Sequence, residues 1–250
     1  MTSGVFTKGS KISRKLQLSS CGFFLLAVTL VGPTAVCGDT IAVIGTGQVG
    51  GALGIEFAAL GHEIVYGSRD PERDNVKQLV ARTGHGATAT TPAEAVTAAD
   101  IVVLAVPGMV VEAVTISLGD LAGKIIIDPT NPLVDREDGL MELGVETSNA
   151  EIIQAVAPDA YVVKAFNTLN WQTMVDPGSS GGPVSIPLVG DSDRAKAKVA
   201  ELIKGMGLEP IDVGPLHHAR IVEGMLILWI NNRFVDGQPF DFYLRKLPSR

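Results

Sequence analysis

Gly45-Thr46-Gly47-Gln48-Val49-Gly50 places three glycines at GxGxxG spacing, between a β-branched run at Thr40–Ile44 and a helical pattern at Gln48–Leu60. A strand that runs straight into such a turn and then a helix is the context in which the motif binds a dinucleotide. Gly45 permits the tight turn, Gly47 lets backbone approach a pyrophosphate, and Gly50 lets the helix pack on the strand. The helix N-terminus then offers unpaired N–H groups and a partial positive charge to phosphate.

The rest of the chain repeats this alternation, which predicts βαβ units and a parallel sheet. Further strands are expected at Glu63–Tyr66, near Ala87–Thr90, and at Ile101–Val106, Lys124–Asp128 and Tyr161–Ala165. Ile101–Val106 is apolar throughout and predicts a central strand buried on both faces. Gly61 closes the first helix. Asp70-Pro71 is read as the start of the second, with Asp70 as N-cap and Pro71 at its first position. Thr91-Pro92-Ala93-Glu94 and Ser148-Asn149-Ala150-Glu151 are capping boxes, the second opening a helix to Ala157. Helix is also expected at Val110–Leu118. Six strands complete a doubly wound Rossmann sheet. After Phe166 come a glycine-rich loop at Asp176–Pro183, a strand at Ser185–Val189, a helix at Arg194–Met206, a strand at Leu208–Val213 and a long apolar helix near Ala219–Ile230. The predicted architecture is α/β: a dinucleotide-binding Rossmann domain at 39–166, and a small C-terminal α/β extension at 167–250 for substrate or dimerisation. Met225, Leu226, Leu228 and Trp229 in the last helix could serve a homodimer surface or the core.

Residues 1–38 stand apart. Lys8, Lys11, Arg14 and Lys15 precede an apolar run from Cys21 to Val31 and small residues up to Gly38. This is the order of a secretory signal, with an uncleaved anchor as the alternative. Cleavage would give a periplasmic or secreted protein with no stable membrane span; retention would give an anchored or cytoplasmic one. The formal charge is −7, and the four positive charges of this segment, accompanied by no acid, leave −11 for the remainder. An acidic surface argues against nucleic acid as partner and leaves a small redox co-substrate as the expected one. Cys21 and Cys37 both belong to the segment, so no thiol chemistry is expected beyond it.

The second strand selects the cofactor. NAD enzymes hold a carboxylate at its end for the ribose 2′-OH. Here the end reads Tyr66-Gly67-Ser68-Arg69, and Arg69 with Ser68 suits a 2′-phosphate, which favours NADP(H). Asp70 is the competing NAD-type carboxylate, set aside as a helix cap.

These features, with Leu104-Ala105-Val106-Pro107, Lys164-Ala165-Phe166-Asn167-Thr168 and Asp212-Val213-Gly214-Pro215-Leu216 before a helix, resemble the coenzyme F420-dependent NADP oxidoreductase family across nearly all of Asp39–Ile230. The chain is also similar to the NADPH-binding domain of the STEAP metalloreductases. The resemblance implies that Ser68 and Arg69 bind the 2′-phosphate. It also implies that Val106-Pro107 and Asn131-Pro132 border the nicotinamide, and that Ala165, Phe166 and Asn167 lie beside its ring. It implies F420 or a flavin as co-substrate. Asn167-Thr168-Leu169-Asn170-Trp171 departs from the His-containing stretch of the archaeal reductases.

No Ser-Lys-Tyr set, metal-ligand cluster or acid/base pair stands out, and no catalytic residue is assigned. Asp135, Glu137 and Asp138 read as a solvated rim, and His217-His218 as turn residues. Lys164 could be catalytic or hold ribose or phosphate; Trp171 could stack on a ligand or pack a junction. Hydride transfer between two stacked rings asks the protein chiefly to hold the reacting carbons about 3–3.5 Å apart. A reductase of the β-hydroxyacid or pyrroline-carboxylate type, and a non-catalytic NADP-binding redox module, are the alternatives.

Overall fold

The computed structural model describes residue 1 and residues 38–248, apart from 236 and 239. The proposed signal at 1–38 therefore lies almost wholly outside the described residues. Among those described, no helix is long and apolar enough to cross a membrane.

The strands β1 (Thr40–Ile44), β2 (Glu63–Gly67), β3 (Thr88–Thr90), β4 (Ile101–Leu104) and β5 (Ile125–Asp128) join β8 (Tyr161–Lys164) in one sheet. All pairings are parallel, in the order β3-β2-β1-β4-β5-β8. This is the doubly wound order in which the strand sequence reverses between β1 and β4, opening a crevice at their C-terminal ends. The glycine turn sits there. Between β5 and β8, the segment read as a solvated acidic rim forms a small antiparallel hairpin, β6 (Leu133–Asp135) and β7 (Met141–Leu143). A second parallel pair, β9 (Ser185–Leu188) and β10 (Glu209–Asp212), extends the fold, and a bridge between Lys164 and Val189 ties it to the edge of the main sheet.

Alternation along the strands divides the core. Ile41, Val43, Val103, Ile127 and Val163 point to one face, against Leu53 and Phe57 of α1 (Gln48–Ala59) and Val199 of α7 (Asp193–Gly205). Ala42, Ile44, Val102, Leu104 and Val162 point to the other. That face is covered by α3 (Pro92–Thr97), α4 (Val111–Ser117), α5 (Asn149–Val156) and α8 (Ala219–Phe234). A parallel sheet needs this double cover, because its central strands β1 and β4 are apolar on both sides.

At Thr91 the capping box is reciprocal, whereas at Ser148 the hydroxyl makes the cap and also donates to the Glu151 carboxylate at 2.7 Å. The Thr91 N–H donates to the Glu94 carboxylate at 3.2 Å, and Ser148 Oγ accepts from the Glu151 N–H at 3.1 Å. The second helix does not begin where the Asp70-Pro71 pair predicts. Residues 70–73 form a turn closed by a bond from the Arg73 N–H to the Asp70 carbonyl, and α2 runs over Asp74–Thr83 with Arg73 at its N-cap. Ser68 Oγ accepts the Asp70 N–H at 3.2 Å and donates to the Asp70 carbonyl at 3.0 Å. That local exchange holds Asp70 in the turn instead of at a helix start. A short helix not expected from the sequence, α6 (Trp171–Val175), packs Trp171 against the core, which decides that residue's role for packing. On α8, Val222, Glu223 and Leu226 are buried while Ile221 and Leu228 are exposed, so the helix supplies core on one face only.

Candidate functional site

The crevice opens into a cavity of about 870 Å³, a volume typical of ligand pockets. Gly45, Thr46 and Gly47 form its floor, Ser68 and Arg69 one end, and Val106, Pro107, Val110 and Val114 an apolar wall. Of the residues singled out in the motif, Gln48, Val49 and Gly50 form the first turn of α1.

Each glycine has a distinct physical reason. Gly45 has φ +109°, and a Cβ there would lie 2.2 Å from the Ala105 carbonyl oxygen. At Gly50 a Cβ would come within 2.0 Å of the Gly45 carbonyl oxygen, so the helix could not seat on its strand. A Cβ on Gly47 would meet nothing within 4 Å. The fold leaves that space open. The N-terminus of α1 also has no side-chain cap and no acidic residue in its first turn. Free N–H groups, a dipole end and an open approach are what a pyrophosphate requires, so these residues fit a dinucleotide.

At the far end of the cavity Arg69 has company. Arg73 and Asn75 line it as well, and so does Asp70. Sequence reading missed Arg73 because a helix starting at Pro71 would turn it into an ordinary first-turn residue. Asp70 is not sequestered as a cap, so the preference for a 2′-phosphate rests on two exposed guanidinium groups facing one carboxylate.

Of the residues expected at the nicotinamide end, Val106 and Pro107 line the cavity, while Asn131, Pro132, Ala165, Phe166 and Asn167 do not; Asn131 and Asn167 bond to each other. Asn131 Nδ2 donates to the Asn167 carbonyl at 3.1 Å, and Asn167 Nδ2 donates to Asn131 Oδ1 at 3.0 Å and to the Val222 carbonyl at 3.2 Å. Those two acceptors fix the orientation of the Asn167 amide. Its Oδ1 is left buried with no donor. Such an acceptor is costly unless something supplies an N–H, as a carboxamide would. Ala165 and Phe166 are closed into the core, so backbone is what they can offer. Phe166 holds φ +66°, unusual for a bulky residue, and its ring packs edge-on against Phe57 at 6.2 Å. Pro132 is buried and leads into the hairpin, whose Met141 N–H and carbonyl bond the side chain of Asn231 on α8 at 2.7 and 2.8 Å.

Lys164 neither faces the cavity nor meets solvent. It is fully buried and paired with Asp128 at 2.8 Å and Glu223 at 2.6 Å, and it donates to the Thr130 carbonyl. The reading of Lys164 as a ligand for ribose or phosphate is thereby corrected: it is an internal cation serving two internal anions. Burial raises the Glu223 carboxyl to about 7; Asp128 adds to the rise, and Lys164 and the Asn149 N–H oppose it. A comparable cavity of about 840 Å³ lies under the C-terminal tail, lined by Trp229, Phe240, Phe242 and Tyr243. It contains no glycine turn of the phosphate-binding kind.

A family model described as NADP oxidoreductase, coenzyme F420-dependent, matches residues 40–132. The F420-dependent NADP reductase of Methanothermobacter thermautotrophicus is 30% identical over 206 residues, covering 76% of this chain and 88% of that protein. A crystal structure of a candidate F420-dependent NADP-reductase from Arthrobacter sp. FB24 is 37% identical with a TM-score of 0.75, covering 84% of this chain and 100% of that one. The metalloreductase STEAP3 of Rattus norvegicus is 31% identical over 186 residues, covering 74% of this chain. The chain spans 36% of the length of that relative. Rossmann sheet, glycine turn and sequence agree: the chain belongs to the F420-dependent NADP reductase family.

Proposed function

We propose that the protein transfers hydride between NADP(H) and a flat ring acceptor of the deazaflavin (coenzyme F420) or flavin type. The observation that carries this is the cavity itself, which has the glycine turn, two arginines, and an apolar wall of Val106, Pro107 and Val110 against which a nicotinamide would lie. In this reading Gly45–Gly50 hold the pyrophosphate. Ser68, Arg69 and Arg73 hold the 2′-phosphate. Asn131, Pro132, Val106, Pro107 and the backbone of Ala165–Asn167 hold the nicotinamide, with Asn167 Oδ1 accepting from its carboxamide. When bound, NADPH supplies a hydride with both of its electrons, and the acceptor takes any accompanying proton from water.

The reading gains support from where the ionisable groups go. Asp128 and Lys164 stand at strand ends with Glu223 of α8 beside them, but both carboxylates are committed to the one ammonium. Ketone or imine reduction wants a proton donor aimed at the substrate. Hydride exchange between stacked rings wants alignment instead, and an apolar wall provides it.

NADPH carrying deuterium at C4 should pass the label stereospecifically to F420 or to a flavin. A screen of both acceptors with no label transferred would overturn the reading. Arg69→Ala and Arg73→Ala should each weaken NADPH binding about 10- to 100-fold, the worth of one charge-assisted bond of about 1.5–3 kcal/mol, and leave NADH binding nearly unchanged. Equal losses for the two nucleotides, measured by titrating nicotinamide fluorescence, would remove the 2′-phosphate assignment.

A further inference from the structure

The buried ion set touches every loop at the nicotinamide end. Lys164 Nζ donates to the carbonyl of Thr130, the residue before Asn131. Glu223 accepts the Asn149 N–H at 3.0 Å on one carboxylate oxygen and 3.3 Å on the other. Asn149 Nδ2 reaches the Gly108 carbonyl at 3.1 Å and Thr130 Oγ1 at 2.7 Å. Asn167 is bonded to the carbonyl of Val222, the neighbour of Glu223. The chain segments that leave β4, β5 and β8 are thus gathered onto two consecutive residues of α8.

We propose that Glu223 is a positioning residue for the nicotinamide half of the dinucleotide site: its carboxylate draws the segments bearing Gly108, Asn131 and Asn167 into register, and loss of its charge slackens them. The inference rests on the placement of the nicotinamide given under the proposed function. The ionised carboxylate accepts from Lys164 and from Asn149 together. Once protonated, one of its oxygens becomes a donor and can no longer accept in the same direction.

The surroundings make this change of charge accessible. Facing Glu223 are the Lys164 ammonium from β8, the Asp128 carboxylate from β5 and the Asn149 N–H from α5. The remaining charges on the elements packed against it pair among themselves. Glu151 of α5 meets Arg220 of α8 at 2.8 Å and His217 at 3.6 Å, and Glu142 of β7 meets Arg136 at 3.1 Å. His218 bonds the Val213 carbonyl. One ammonium cannot neutralise two carboxylates where water is excluded, so the site keeps a proton into the neutral range.

The test compares NADPH with 2′-phospho-ADP-ribose, which shares the adenosine half and lacks the nicotinamide. Dissociation constants for both are measured on the full chain across about pH 6 to 8. Their ratio cancels the titration of the shared 2′-phosphate. In the wild type, NADPH should gain several-fold on its truncated analogue as pH rises, while Glu223→Gln, isosteric and uncharged, should hold the ratio flat. A flat ratio in the wild type, or the same rise in Glu223→Gln, overturns the inference and leaves the proposed function standing. Binding of neither ligand overturns both. Should Glu223→Gln fail to fold, the wild-type ratio alone decides.

Discussion

Lys164→Met should cost about 3–5 kcal/mol of stability, the loss expected when one partner of a buried ion set is removed and the others stay behind. Asp128 and Glu223 are both fully buried, and both would lose their cation. Domains of this size have only about 5–15 kcal/mol in hand. A fall in melting temperature of about 6–20 °C should follow. Chemical denaturation of the variant beside Lys164→Met/Asp128→Asn/Glu223→Gln separates charge from packing. Removing all three charges should recover part of the loss, because no anion is then stranded. A single variant as stable as the wild type would show that the carboxylates find other partners, and that the ion set does not hold these loops.

Gly47→Val should abolish dinucleotide binding and spare the fold. Its backbone, φ −79° and ψ −164°, suits any residue, and the space its Cβ would enter is open. A side chain there would stand between the helix N-terminus and the pyrophosphate. Losing two charge-assisted bonds of about 1.5–3 kcal/mol each corresponds to at least about a 100-fold drop in NADPH affinity. Gly50→Val makes the opposite case. Its Cβ would collide with the Gly45 carbonyl, so the fold itself should suffer. Melting curves and NADPH titrations on the two variants should therefore separate cleanly. Unimpaired affinity in Gly47→Val would reduce the motif to a structural turn.

Where local rules act alone, the sequence was easy to read. The six strands announce themselves as β-branched runs, and the glycine turn carries its own stereochemical demands, so sheet and crevice follow. Helix ends were legible where a side chain caps its own first turn, as at Thr91 and Ser148. At Asp70 the same logic misled, because Ser68 two residues earlier competes for that backbone and postpones the helix to Asp74. The error hid Arg73, although a second cation four residues after Arg69 was there to be noticed. Least legible was the ion set. Asp128, Lys164 and Glu223 are far apart in sequence, and nothing local couples them. The clue was a lone carboxylate within the otherwise apolar run Ile221–Ile230, a residue that cannot be buried without a partner. Hairpin residues 133–143 escaped for another reason: their acidic tip dominates the composition, and the short strands flanking it carry too few apolar residues to show a period.

Phe57 and Phe166 meet edge to face inside the core. The first belongs to the helix whose free end would receive the phosphates, and the second to the left-handed turn that delivers Asn167 to the ring. In the proposed binding mode the span from phosphate to nicotinamide is set partly by this aromatic contact in the close-packed interior, not by the length of any surface loop. Such a calibre, in that binding mode, keeps the two ends of the cofactor at a spacing set inside the core.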